Sequence, residues 1–378
     1  MKSVVILGMH RSGTSAIAKA LSIMGVNLGV NLLPPKEDNK KGFWEDFNIV
    51  DFNTNLMQKQ SQDWYTFGPI EQDFSDECYE KVIKYVEKEF GDSIVWGFKD
   101  PRTSRLIPFW DSILKKINSD VVYCVVVRNP LSVIKSLEKR DGFSAHQAGL
   151  LWYQYNMDII AELADVPFTV IDYDSLLIEP ENNLIRLANG IGQSDSLSDT
   201  AIEEYCQEFL SGGLRNSKFT LDSLNSDDST SDKIAQLYLD LLNLTNKPSV
   251  YLPPHLKENV RLWKETQSSN IDMFNLLNDV LKVSTSESAR LSHCNSSLDI
   301  ALSHVEYLLK ERDHVINERD IMEKRHQMAV ASLEESQNKE RLLTVTKENL
   351  ENELDRIYNS GFWKFFSPLR YIIKMLKR

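Results

Sequence analysis

The 378-residue chain carries 43 Lys and Arg against 55 Asp and Glu, a formal charge of −12. That balance excludes a diffuse basic surface, so no nucleic-acid partner is expected and any anion site must be local. Cys78, Cys124, Cys206 and Cys294 are far apart with no CxxC or Cys/His spacing, which argues against structural zinc and a disulfide framework. No run approaches the roughly 18 apolar residues of a membrane span. The short apolar run at the start leads directly into a loop and does not read as a signal peptide.

In chain order, the first element is the β-branched run "SVVILG", which enters "GMHRSGTS", residues 8–15. Gly8 and Gly13 keep the spacing of a phosphate loop, G-x-x-x-x-G-K-[ST], but Thr14 stands where the lysine belongs and the nearest cation, Arg11, precedes Gly13. A glycine-rich turn from strand to helix presents backbone N–H groups and a helix N-terminus to an anion. Thr14 and Ser15 add hydroxyl donors, and Arg11 adds a forked cation suited to a phosphate or sulfate oxygen.

Three more apolar runs follow: "SIVWGFK", "DVVYCVVVR" and "PFTVIDY". They are apolar throughout and do not alternate, which predicts a parallel sheet covered on both faces. With helical patterns between them, residues 1–255 are expected to form a three-layer α/β/α domain with a central parallel sheet and right-handed crossovers. Ligands of such sheets sit beyond the carboxyl ends of the strands, so each motif should lie where a strand ends. "RNPLSVIKS" puts Arg128 at the end of the third run, Pro130 at the first helical turn and Ser136 two turns on. An arginine and a helical serine so placed can converge on one phosphate.

Beyond "YLPPHLKENV" the composition shifts. Residues 256–297 read as a helical junction ending in the Ser-rich linker "STSESARLSHCNSS". Residues 298–358 lack proline and glycine, and Leu298, Leu302, Val305, Leu309 and Ile316, then Leu343, Leu350, Leu354 and Ile357, follow coiled-coil spacing. Arg312, Arg319 and Lys347 interrupt the seam. The expectation is an imperfect, oligomerising coiled coil, against a solvated single helix or one folded back on the first domain. Residues 361–378, "GFWKFFSPLRYIIKMLKR", hold five cations and no acid. Leu369, Ile372, Ile373 and Leu376 share one helical face opposite Arg370, Lys374, Lys377 and Arg378. This predicts a basic amphipathic tail at an anionic membrane surface, or aromatics packed on the protein itself.

Taken together, "HRSGTS" resembles the 5′-phosphosulfate loop, and "RNPLSVIKS" the 3′-phosphate motif, of sulfotransferases that use 3′-phosphoadenosine 5′-phosphosulfate (PAPS). "KDPR" (99–102) is similar to the lysine segment of tyrosylprotein and carbohydrate sulfotransferases. "DNKKGFWED" (38–46) resembles the "NPKG-aromatic-aromatic-E" segment of bacterial members, with Lys40 in place of the proline. "IDYDSLLIEP" (171–180) resembles a "Y-E-D-L" block, with Asp174 for the glutamate, and "GGLRNSK" (212–218) a late "LR-H-S" segment.

The resemblance implies an in-line transfer of a sulfuryl group from PAPS to a hydroxyl or amine, with no metal required. It would place Arg11 on the 5′-phosphate and bridging oxygen, and Ser12, Gly13, Thr14 and Ser15 around that phosphate. Lys99 would act on the sulfuryl group, Arg128 and Ser136 would hold the 3′-phosphate, and Arg215 would join the nucleotide site. Glu45 is the expected base, its aromatic neighbours favouring a raised pKa; Asp100 is the second candidate, though a cap or an ion pair with Arg102 suits it better. His10 is read as shaping the loop or meeting the nucleotide. Two other readings stand: a P-loop nucleotide or small-molecule kinase, and an inert sulfotransferase-like membrane scaffold. The tail is similar to those of bacterial glycosyltransferases that build surface polysaccharides. It suggests a cytoplasmic protein at the inner face of the membrane, acting on a sugar of a lipid-linked or cell-surface glycan.

Overall fold

The structure, a computed structural model, describes residues 1–35, 41–210, 219, 223–224, 230–286, 312, 347, 349–350 and 353. The chain divides into two units, Met1–Ser303 and His304–Arg378. In the second unit, the described residues Arg312, Lys347, Asn349, Leu350 and Glu353 are helical. The seam as a whole and the tail at 361–378 lie outside the described residues.

The four apolar runs form the four strands of one parallel sheet: β1 (Lys2–Leu7), β2 (Val95–Lys99), β3 (Asp120–Val127) and β4 (Phe168–Asp172), in the order β2-β1-β3-β4. Their lack of alternation has the expected cause. Side chains of successive strand residues face opposite sides, and both sides are buried. Val5 and Leu7 with Trp96, Phe98, Val125 and Val127 enter one core; Val4 and Ile6 with Cys124, Val126 and Ile171 enter the other. The unit is thus α/β with helices on both faces of a central parallel sheet. Single bridges, Asn27 beside Trp96 and Val250 beside Phe168, lie along the outer strands β2 and β4 and limit the exposed edges.

On the second face lie α1 (Thr14–Ile23) and, after α7 (Tyr173–Ile178), α8 (Pro180–Ile191). The first face is covered by α2 (Phe47–Lys59), α3 (Asp76–Phe90), α4 (Ile107–Lys116), α5 (Pro130–Asp141) and α6 (Ala145–Glu162). The short α9 (Asp199–Glu204) precedes α10 (Asp232–Asn243). Of the residues read as a helical junction and linker, 256–297, those described, 256–286, are helical apart from Asn270. Here α11 (Pro254–Ser269) and α12 (Ile271–Ser286) place Leu256, Val260, Trp263, Phe274, Leu277 and Leu281 in the first core. Packing therefore continues past residue 255. The remainder of the junction, from 287, lies outside the described residues.

Buried polar groups fasten the segment 62–70 to this core. Arg105 pairs with Asp158 at 3.4 Å and donates to the carbonyls of Thr66 and Gly68. Asp158 in turn accepts from Trp263 Nε1 at 2.9 Å and Gln267 Nε2 at 2.8 Å. A buried pair of this kind is tolerated because further hydrogen bonds support both partners, the two carbonyls on Arg105 and the Trp263 and Gln267 donors on Asp158. It fixes the chain on which Trp64 sits.

Candidate active site

Connections from β1 lead to β2 on one side and, through β2, back to β3 on the other. The order reverses between β1 and β3, and such a switch point, beyond the carboxyl ends of the strands, is where sheets of this kind bind ligands. The loop 8–13 fills that position. Gly8 donates its N–H to Ser104 Oγ at 2.9 Å, and a Cβ there would lie 2.6 Å from the Val126 carbonyl, so only glycine lets β1 end against β3. Gly13 caps α1 at φ 88, where a Cβ would lie 2.1 Å from the Tyr173 ring. Neither a side-chain cap nor an acidic residue occupies the first turn of α1. Its N–H groups and the positive end of the helix dipole are therefore suited to an anion.

Lys99 ends β2 with the parity opposite to Phe98, which carries its side chain to the α1 face. Its ammonium donates to Ser15 Oγ at 3.3 Å, the Phe43 carbonyl at 3.1 Å and Glu45 Oε1 at 2.5 Å. Ser15 Oγ also donates to the Phe43 carbonyl, at 3.1 Å. An ammonium has three donors, so these contacts saturate it. Between Phe43 and Glu45 the chain passes through Trp44 in the left-handed region, φ 57, which turns carbonyl and carboxylate toward the same lysine. Glu45 is buried with this pair, and burial raises its pKa above the usual glutamate value despite the opposing pull of Lys99.

On the β3 side, Arg128 is buried, donates from Nη1 to the Arg11 carbonyl at 3.0 Å and lies over the Tyr173 ring at 4.9 Å. Arg11, itself left-handed at φ 68, donates from Nε to Ser136 Oγ at 2.7 Å. The structure thus brings Arg11, Arg128 and Ser136 together, and Lys99, Glu45 and Ser15 together, around one loop that contains Ser12, Gly13 and Thr14. Arg215 lies outside the described residues. Asp100 caps the 3₁₀ turn Pro101–Arg105, pairs with Arg102 Nη1 at 2.8 Å and accepts from Asn53 Nδ2 at 2.8 Å. Cap and ion pair are both present, and its oxygens are engaged.

Buried polar atoms without a protein partner gather at this end of the sheet. Among the described residues these include His10 Nε2, Ser12 Oγ, Arg102 Nε and Arg128 Nε. Each such atom costs about 1–3 kcal/mol when left unpaired, a cost that a ligand or an ordered water at the site would offset. Sequence reasoning did not assign Tyr173, which backs Gly13 and lies under Arg128, although its place at the end of the fourth strand was a usable signal. Nothing in the sequence could point to the Phe43 carbonyl.

No protein-family model and no curated protein sequence matches the chain. Among solved structures, it is similar to the sulfotransferase domain of the Synechococcus PCC 7002 olefin synthase, with a TM-score of 0.34 and 14% identity over 71% of this chain and 94% of that one.

Gly13→Ala tests the loop. Strain and the collision with Tyr173 are expected to cost about 2–4 kcal/mol and to lower Tm by about 3–6 °C. Gly25→Ala is the control, because Gly25 also has positive φ, 78°, but an added Cβ would meet nothing within 4 Å. A loss no larger than that of the control in thermal unfolding would show that the Tyr173 contact does not hold the loop.

Proposed function

We propose that the chain is a sulfotransferase that uses PAPS as its donor. The observation that carries this reading is the convergence of the Lys99–Glu45 pair and the Arg11, Arg128 and Ser136 group on one phosphate-type loop. The unpartnered Ser12 Oγ and Arg128 Nε and the open first turn of α1 suit a donor rich in anionic oxygens. Arg11 ties the loop to the 3′-phosphate group, its guanidinium donating to Ser136 and its carbonyl accepting from Arg128. That gives a displaced cation a use which a triphosphate loop, with its lysine after the second glycine, does not have.

In this reading Arg128 and Ser136 hold the 3′-phosphate, while Arg11, Ser12, Gly13, Thr14 and Ser15 surround the 5′-phosphate. Glu45 takes the proton of the acceptor hydroxyl or amine through the oxygen not bonded to Lys99. The acceptor atom bonds to sulfur, the bond from sulfur to the 5′-phosphate oxygen breaks, and 3′-phosphoadenosine 5′-phosphate leaves. Lys99 and Arg11 stabilise the charge that builds on sulfuryl and bridging oxygens. The acceptor is read as a sugar of a lipid-linked or cell-surface glycan. Residues 298–358 would oligomerise the chain and 361–378 would hold it at the inner face of the membrane. Among the described residues no helix is long and apolar enough to cross a membrane.

The decisive experiment is thermal unfolding with 3′-phosphoadenosine 5′-phosphate, compared with ATP-Mg²⁺. A ligand that binds the folded state raises Tm. The 3′-phosphorylated nucleotide is expected to raise it, and Arg128→Ala to weaken that binding about 10–100-fold through loss of charge-assisted bonds. A rise with ATP-Mg²⁺ alone would favour a kinase. For the base, Glu45 is active ionised, so its raised pKa is expected to move the acid limb of kcat/KM above the ordinary glutamate range. Glu45→Gln should abolish that limb with about 10²–10⁴ of the rate; a limb that persists assigns the proton elsewhere. For the tail, reversing Lys374, Lys377 and Arg378 to Glu in the full chain should weaken binding to phosphatidylserine vesicles by about 100-fold or more. Equal flotation of both proteins would refute the membrane reading, and light scattering of a monomer the oligomeric one.

A further inference from the structure

His10 has no part in the transfer just described, yet it occupies the first free position of the loop beyond β1. Its ring packs on Trp64 at a centroid distance of 4.4 Å and meets the edge of Tyr155 at 6.2 Å. Trp64 is held from its other neighbours by Phe143 at 5.4 Å and by the Arg140 guanidinium, 5.2 Å from its ring. The imidazole is therefore fixed in a wall built from the segment 62–70, α5 and α6. Nε2 is buried and has no hydrogen-bond partner among the described residues.

Four cations act on it, three of them ion-paired in turn: Arg102 with Asp100, Lys99 with Glu45 and Arg140 with Asp141. Arg102 from the 3₁₀ turn, Arg140 from α5, Lys99 from β2 and Arg11 from the loop itself each disfavour a protonated ring, and burial, the largest cause, adds to them. His10 is a neutral hydrogen-bonding group in a cationic neighbourhood. Such a group selects by charge as well as by shape. A hydroxyl can accept from Nε2–H or donate to a bare Nε2, and so satisfies either tautomer; an ammonium can only donate. An ammonium must also enter beside Arg11 and three ion-paired cations, and like charges in a site weigh against it.

We infer that His10 Nε2 is an acceptor-binding group that receives a hydroxyl of a neutral or anionic acceptor, and that the site rejects an acceptor arriving as an ammonium. This inference rests on the sulfotransferase reading and narrows it from hydroxyl or amine to hydroxyl. The chemistry of transfer is unchanged. His10 holds the acceptor and takes no proton.

The test uses the full chain saturated with 3′-phosphoadenosine 5′-phosphate. The probes are glucose, galactose and mannose, each against its 2-amino counterpart at mildly acidic pH, where the amine is an ammonium. The readout is the ¹⁵N resonance of His10 Nε2, assigned by its loss in His10→Phe. At least one all-hydroxyl sugar is expected to shift that resonance, with its amino counterpart more than about tenfold weaker. His10→Phe keeps a ring against Trp64. It should retain the nucleotide-induced rise in Tm and lose the further rise given by the sugar, and His10→Gln, which returns a hydrogen-bonding amide, should recover part of it.

Three results overturn the inference: no hydroxyl sugar shifts the resonance, the amino sugar shifts it equally, or His10→Phe loses the nucleotide response in place of the sugar response. If the nucleotide fails to raise Tm in the unsubstituted protein, it is the sulfotransferase reading that falls. The two failures are therefore separately visible.

Discussion

Lys99 leaves the end of β2 on the α1 face of the sheet, and there its three N–H donors are taken by Ser15, the Phe43 carbonyl and Glu45. Removing that ammonium would strand a buried carboxylate, and removing the carboxylate would strand a buried ammonium; either is strongly destabilising in a low-dielectric place. The contact joins three parts of the chain that share no secondary structure: the outer strand β2, the first turn of α1 and the segment 41–46. What surrounds it follows from this. Trp44 adopts its unfavourable backbone so that both neighbours can reach the lysine, and α1 begins where Ser15 can complete the set.

The sheet was legible because its strands are buried on both sides, which leaves an apolar run with no gaps. "DVVYCVVVR" could only be read one way once "RNP" closed it. The motifs were legible because the turn chemistry is local: glycine where the backbone touches Val126 and Tyr173, proline in the first turn of α5. What could not be read is contact across the fold. That Arg11 reaches Ser136 depends on how α5 lies against the loop. That α11 and α12 belong to the core depends on Trp263 meeting Asp158 some hundred residues earlier, and "YLPPHLKENV" offers only a change of composition there. The segment 62–70 carries Trp64 into the site with no periodicity or motif to announce it.

An acidic chain with a cationic centre is not a contradiction. Salt screens exposed charges beyond about 8 Å at physiological ionic strength, whereas a buried or partly buried cluster is screened much less. Arg11, Lys99, Arg102, Arg128 and Arg140 set the local field, and Asp100 and Glu45 offset part of it at fixed places. Hydrogen bonds donated to a carbonyl or a serine hold several of these cations without cancelling their charge. The centre is thereby ordered in advance of any ligand, and the cost of arranging it is met during folding.

The Phe43 carbonyl gives the lysine a contact of a different kind from the other two. Ser15 and Glu45 offer side chains, which a single codon change can remove. A main-chain oxygen is supplied by every amino acid, so position 43 can drift in size and polarity while the bond to Lys99 persists, provided the turn at Trp44 survives. The hereditary information for that contact is therefore stored in the backbone angle of the next residue. A comparison of sequences alone would look for it at the wrong position.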